Sequence, residues 1–256
     1  MTATAQPPQE VFCMTCGPEA VLARDRLART LHCPACGDVQ HVPALPLFVV
    51  TGASGAGKTT VTGPLRGLLP DCEVFEADLT LQVAALGWDT WRNTWLRLAH
   101  GVAMNGRVTV LCGSLLPSQL EDLPARKLLG PIHFCNLDCP DEVLAARLRA
   151  RPSWRHDSIE TTIGEHQRFA AWLRAHIRPS WDTSVHTPAG AAGLIAAWVR
   201  GMLAAADGQP ETLSGQGADG RDHPAVFTAY PDRGAVPDLG RQPTVTAVRG
   251  ARGPVR

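Results

Sequence analysis

"GASGAGKTT" occupies residues 52–60, directly after the apolar run "LFVV" (47–50) and directly before a helical stretch, Lys58 to Leu69. Gly52, Gly55, Gly57, Lys58 and Thr59 fit G-x-x-x-x-G-K-[ST] in the strand, loop and helix setting that the motif requires. Glycines there let consecutive backbone N–H groups turn inward around a β-phosphate, and the helix N-terminus adds partial positive charge. Gly52, Ser54, Gly55, Ala56, Gly57, Lys58, Thr59 and Thr60 are therefore the expected contacts of a nucleoside triphosphate such as ATP. Lys58 would lie across its β- and γ-oxygens, and the Thr59 hydroxyl on Mg²⁺. The plain alternative is an ordinary glycine-rich strand-to-helix turn, against which the complete motif in its required setting argues.

Outward from the loop, "EVFEA" (73–77), "RVTVLC" (107–112), "IHFCNL" (132–137) and "SVHT" (184–187) are short apolar runs with turn residues at most borders, and read as buried strands. Helical stretches alternate with them: Thr90 to Met104, Asp141 to Arg151, Ser158 to His176 and Ala189 to Ala206. Such alternation builds a parallel sheet covered on both faces, so residues 45–206 are expected to form a P-loop α/β sandwich on five parallel strands. Residues 1–44 precede it as a cysteine-bearing head. Residues 207–256, rich in Gly, Pro, Asp and Arg, have too few apolar side chains to offset ordering entropy and are expected to be a disordered tail.

The 256 residues are 45% hydrophobic, enough for one sizeable core and a small appendage. Lys+Arg and Asp+Glu both number 24, which leaves no global basic field for nucleic acid and no polybasic run for a membrane. "MTATAQPPQE" lacks the pattern of a secretory leader, and the apolar runs read as too short for a bilayer, which takes about 18–20 residues. The expectation is a cytoplasmic protein, in which eight cysteines argue for metal binding over a disulfide framework.

A motor or switch NTPase usually carries a carboxylate at the end of a neighbouring apolar strand, to hold Mg²⁺ and help position water. Here "RVTVLCGS" ends in Cys112 and Gly113 instead. The acidic candidates are Glu76 and Asp78 in "FEADL", after the second strand. In these features the chain resembles the small P-loop kinases, the group of shikimate, gluconate, nucleoside and nucleotide kinases and chloramphenicol phosphotransferase, over residues 47 to about 203. The resemblance implies a carboxylate after strand two that orients or deprotonates the acceptor hydroxyl, a role that falls to Asp78. The alternative for Asp78 is a helix N-cap for "LTLQVAAL".

"RLRARPSWR" (147–155) puts four arginines in nine residues, with Arg147 and Arg151 on one helical face. Guanidinium groups suit the charge spread over a transferring phosphoryl group. The resemblance makes this the start of a lid, with Arg147 on adenine and Arg151 and Arg155 over the phosphates; a solvated basic helix is the alternative. "GWDTWRNTWLRLA" (87–99) sets Trp88, Trp91 and Trp95 on one stripe, which reads first as core. Small P-loop kinases place the acceptor between this helix and the phosphate loop, so Trp91 and Arg92 are the acceptor-side candidates. "WDTSVHTP" resembles the last strand of such kinases and the adenine-side loop after it.

In the head, Cys13-Met-Thr-Cys16 and Cys33-Pro-Ala-Cys36 enclose 16 residues, the spacing of a four-thiolate zinc ribbon. Gly17 and Gly37 each follow a pair and help the tight turn; four protein sulfurs would make the Zn²⁺ structural. A redox dithiol fits two pairs less well than one shared metal does. Arg24, Arg26 and Arg29 are opposed by Glu19 and Asp25, so contact of the ribbon with nucleic acid or protein stays open but is not favoured by charge.

The expected activity is ATP-dependent phosphoryl transfer to a small-molecule hydroxyl of a nucleoside, sugar or antibiotic-like acceptor. Two alternatives stand beside it. Arg92 would serve a nucleoside monophosphate kinase, and an ATP-binding adaptor module would use the ribbon for docking and the nucleotide as a switch.

Overall fold

The computed structural model describes residues 10–25, 29–43, 45–151 and 158–207. Arg155 and the expected tail from 208 onward lie outside them. The head contains β1 (Phe12–Cys13), β2 (Gly17–Val21), β3 (Ala23–Asp25), β4 (Thr30–His32) and β5 (Val39–His41), paired as a β1–β2 hairpin and an antiparallel β3–β4–β5 sheet.

The body is built on β6 (Leu47–Thr51), β7 (Cys72–Glu76), β8 (Val108–Cys112), β9 (Ile132–Asp138) and β10 (Ser180–Asp182), five parallel strands in the order β10-β9-β6-β8-β7. All five residues of β6 are buried, as befits a central parallel strand covered on both faces. Its side chains alternate between two cores. Phe48 and Val50 join Val61 and Leu65 of α1 (Lys58–Leu68) and Ile195 and Val199 of α5 (Pro188–Asp207). Leu47 and Val49 face the other way, into the core shared by α2 (Trp88–Met104), α3 (Asp141–Arg149) and α4 (Ile159–His176). The chain is thus an α/β three-layer sandwich of the P-loop type.

From β6 the chain crosses to β7 and β8 on one side and later returns to β9 on the other side of β6. The reversal opens a crevice at the carboxyl ends of β6, β8 and β9, where open α/β sheets bind ligands. Residues 52–57 leave the sheet there.

The fifth strand falls on Ser180–Asp182, not on "SVHT" (184–187). The run at 184–187 is exposed and has no neighbour to bury against, whereas Ser180 is drawn to the edge of β9 by Asn136 N–H on Pro179 O (2.9 Å) and Asn136 Nδ2 on Ser180 Oγ (3.0 Å). A second correction concerns α5. Residues Pro188–Ala206 are long and apolar enough, by length and composition, to cross a membrane. Here Ala191, Ala192, Ile195, Ala196 and Val199 are buried in the sheet-side core, and Arg200 donates to Leu68 O, so α5 is the core helix of a sandwich.

The head joins the α2-side core of the body and is hydrogen-bonded to it. Val11, Leu22, Leu31 and Val42 share one buried cluster with Leu96 and Ala99. Arg97 Nη2 donates to Glu10 O (2.6 Å), and Lys127 Nζ donates to Leu22 O (3.0 Å).

Candidate active site

The phosphate loop is shaped by backbone that side chains would spoil. A Cβ on Gly52 would stand 2.6 Å from Leu137 O at the end of β9, and Gly57 has φ 97° as the residue before α1. No side chain caps α1, and its first turn holds no acid, which leaves the N-terminus of the helix suited to an anion. Lys58 Nζ donates back to Gly52 O (2.7 Å) and Ala53 O (2.9 Å), reaching over the loop where phosphate oxygens would lie. Burial pushes the Lys58 amine down from 10.5 to about 8, against the opposing pull of the Asp78 charge and with added push from Arg151.

Thr59 Oγ1 donates to Glu76 Oε1, the last residue of β7. A hydroxyl and a carboxylate in contact are hard oxygen donors of the kind Mg²⁺ takes, so these two residues fit that ion. Asp78 lies exposed in the first of the 3-10 turns Ala77–Leu86, which break at Thr80. The residue before those turns is Glu76, and no side chain caps them, so the N-cap alternative for Asp78 is not the arrangement found. Cys112, at the end of β8, is a buried thiol that burial holds up to about 11, and it stays protonated where another NTPase would carry a charge.

On the opposite side of the loop, Arg147 Nη1 donates to Gly55 O (3.0 Å) and to Thr183 Oγ1 (2.9 Å), and its Nη2 to Thr183 O (3.0 Å). Thr183 Oγ1 also lies 3.0 Å from Ala56 O and 2.9 Å from Asp138 O, so this residue ties the segment after β10 to the loop and to β9. Arg151 follows α3 closely enough for its charge to act on Lys58. Arg155 is outside the described residues.

Trp91 is buried (4% exposed), stacked edge to face with Trp88 at 5.6 Å, and its indole N–H has no partner. Trp95 Nε1 donates to Ala77 O (3.0 Å), fixing α2 to the residue before Asp78. Arg92 is mostly buried, bonds Asp89 Oδ1 through Nη1 (2.8 Å), and leaves Nε without a partner.

Three participants were not singled out in the sequence. Ser114 Oγ donates to Gly52 O (2.9 Å). Thr183 sits in "WDTS", a stretch that the sequence marks only as a whole. His166 on α4 has a buried, unpartnered Nδ1, and burial followed by the charges of Lys58 and Arg151 pushes its imidazole from 6.5 to about 4. A single histidine on a helix carries no periodic signal, so nothing in the pattern marks it.

In the head, the four sulfurs of Cys13, Cys16, Cys33 and Cys36 lie within 4.8 Å of one another and none is in a disulfide. The Cys13–Cys36 separation is 3.8 Å and the Cys16–Cys33 separation 3.9 Å, close to the roughly 3.8 Å edge of a tetrahedron with Zn–S of about 2.3 Å. The donor set fits zinc. Cys72, Cys112, Cys135 and Cys139 are buried singly in the body, as small apolar side chains.

No protein family and no curated protein matches the chain. Among solved structures it is similar to a sugar kinase from Janibacter sp. HTCC2649, at 21% identity over 61% of this chain and 95% of that one, with a TM-score of 0.47. It is also similar to the tunicamycin resistance protein of Deinococcus radiodurans, at 20% identity over 60% and 95% of the two chains with a TM-score of 0.47. A third similarity is to shikimate kinase from Acinetobacter baumannii, at 19% identity over 65% and 97% with a TM-score of 0.42. Likeness of this degree concerns the course of the chain; what the site does has to be argued from its own residues.

Proposed function

We propose that the chain is an ATP-dependent small-molecule kinase that moves the γ-phosphoryl group of ATP to an acceptor hydroxyl, with a zinc ribbon as its head. The observation that carries this reading is the position of Asp78: an exposed carboxylate after β7, near enough to the loop for its charge to act on Lys58, while β8 ends in a neutral thiol. A motor or switch NTPase usually carries a carboxylate at the end of the strand in the place of β8, to hold Mg²⁺ and help position water, whereas an acceptor hydroxyl calls for one that faces it.

In the transfer, the acceptor oxygen bonds the γ-phosphorus as the bond to the β,γ-bridging oxygen breaks, and the hydroxyl proton passes to Asp78. Lys58 turns from Gly52 O and Ala53 O to the phosphate oxygens. Arg147 holds Gly55 and keeps the loop in shape beside the base of the nucleotide, and Arg151, with Arg155, answers the charge of the transferring group. Mg²⁺ at Thr59 and Glu76 would neutralise charge on the β- and γ-oxygens. Arg92 favours a hydroxyl over a monophosphate acceptor, because its guanidinium is already bonded to Asp89.

The test is transfer of label from γ-labelled ATP by the purified protein to a panel of nucleosides, nucleotides, sugars and aminoglycosides. Label on a hydroxyl of a small molecule supports the reading; label released only as phosphate with every acceptor overturns it.

A further inference from the structure

Buried polar atoms are nearly always hydrogen-bonded, so each one left without a partner asks for an explanation. Among the described residues, Thr80 Oγ1, Trp91 Nε1, Arg92 Nε and His166 Nδ1 are such atoms. The first three belong to the stretch that begins two residues after Asp78 and runs into the first half of α2. His166 comes from α4, and the charges acting on its ring are those of Lys58 and Arg151, the two cations of the phosphoryl site.

From this we infer that His166 contacts the phosphoryl acceptor through its buried, unpartnered Nδ1, as part of a subsite for an uncharged, hydroxyl-rich molecule such as a sugar or nucleoside. The inference rests on the kinase reading above and narrows it. A ring that burial and two cations keep unprotonated down to about pH 4 offers no charge to a carboxylate or phosphate at neutral pH. It offers one donor or acceptor, according to tautomer, which a hydroxyl satisfies either way. Thr80 Oγ1 adds another group of the same kind, and Trp91 Nε1 and Arg92 Nε add donors, so the complement is a molecule with several hydroxyl or carbonyl oxygens.

Two substitutions separate hydrogen bonding from packing. Asn carries a polar atom close to the position of Nδ1, whereas Leu is apolar and the better helix former of the two. His166→Leu is expected to raise the acceptor KM by roughly 10- to 100-fold, the worth of one buried hydrogen bond to substrate, while the nucleotide Kd stays within about twofold. His166→Asn is expected to recover most of the loss. A packing role predicts the reverse order, and finding Leu equal to or better than Asn overturns the inference. In the labelled-ATP panel, uncharged polyols and nucleosides are expected to outcompete hydroxy acids and nucleoside monophosphates; preference for an anionic acceptor overturns it also. Should His166→Leu not fold, wild-type protein with ¹³C-labelled histidine reads the same point. Acceptor added to the complex with a non-hydrolysable ATP analogue must move the His166 signal, and an unmoved signal at saturation refutes the contact. No transfer by wild-type protein to any acceptor brings down the kinase reading itself, whereas transfer with an unchanged acceptor KM in His166→Leu brings down this inference alone.

Discussion

Lys58→Met is expected to abolish nucleotide-dependent activity and at the same time to stabilise the protein. The lysine is held in the fold as a costly cation: its amine is displaced from 10.5 to about 8, chiefly by burial. At about 1.36 kcal/mol per tenfold, that displacement corresponds to a charging cost of at most about 3 kcal/mol below pH 8. Methionine removes the cost but also two hydrogen bonds, each worth roughly 0.5–1.5 kcal/mol net. Neither carbonyl is stranded, because Gly52 O keeps Ser114 Oγ at 2.9 Å and Ala53 O keeps the Ala56 N–H at 3.1 Å. The expected balance is about 1–2 kcal/mol in favour of Met at pH 7, or roughly 2–8 °C in Tm for a chain of this size.

The sign with pH follows from proton counting. Between about pH 8 and 10.5 the unfolded chain binds a proton at Lys58 that the folded chain has released, so wild-type stability rises with pH over that window. The advantage of Met is therefore full below pH 8 and fades as pH approaches 10.5. Parallel thermal and urea melts of both proteins at pH 7 and pH 10.5 measure this, with other titrating groups cancelling in the difference. A Met variant less stable than wild type at pH 7, or a gap that does not shrink with pH, refutes the reasoning.

Three further outcomes are expected. ATP affinity of the wild type should weaken above pH 8 by up to about tenfold per pH unit, because the free protein loses the Lys58 ammonium that the bound phosphates need; isothermal titration calorimetry across pH 7–10 checks it, and a flat profile counts against the role of Lys58. Asp78→Asn should leave ATP affinity within a few fold yet slow transfer by roughly 10²- to 10⁴-fold, read by pre-steady-state label transfer; an unchanged rate removes Asp78 from the chemistry. Metal analysis of freshly purified, reduced protein should find about one zinc per chain, and Cys33→Ser should lose it together with several degrees of Tm; protein free of zinc with an unchanged melt defeats the ribbon.

The phosphate loop and the cysteine pairs were legible because both are local: their spacing in sequence is their geometry in space. Strands β6 to β9 were legible because burial on both faces makes continuous apolar runs. β10 was not, since its three residues, Ser180, Trp181 and Asp182, are a strand by virtue of the edge they meet and carry no apolar pattern of their own. α5 does not stand out as a membrane candidate in sequence because Gly190, Gly193, Arg200 and Gly201 interrupt its apolar residues, although the helix passes the test of length and composition. The site was legible where a motif carried it, as at Lys58 and Thr59, and illegible where tertiary folding brings in a lone residue. His166 lies 108 positions from Lys58 in sequence and comes within range of its charge only through the folding of α4.

The ribbon was the feature whose purpose sequence left most open, and its position bears on the site. Its buried residues Val11, Leu22, Leu31 and Val42 join the large core cluster that also holds Leu96 and Ala99 of α2, and its backbone is hydrogen-bonded by Arg97 and Lys127. One turn earlier on α2, Trp95 holds Ala77 O, the carbonyl next to Asp78, and Trp91 and Arg92 follow on the same helix toward its start. α2 therefore carries a hydrogen bond to the head, through Arg97, and another to the carbonyl next to Asp78, through Trp95. Contact of this kind fixes a position; it carries a signal only where the intervening element has two arrangements, and α2, pinned by the head on one side and by the β7 segment on the other, has its geometry determined twice. Held in this way, the head would serve the precision of the acceptor side.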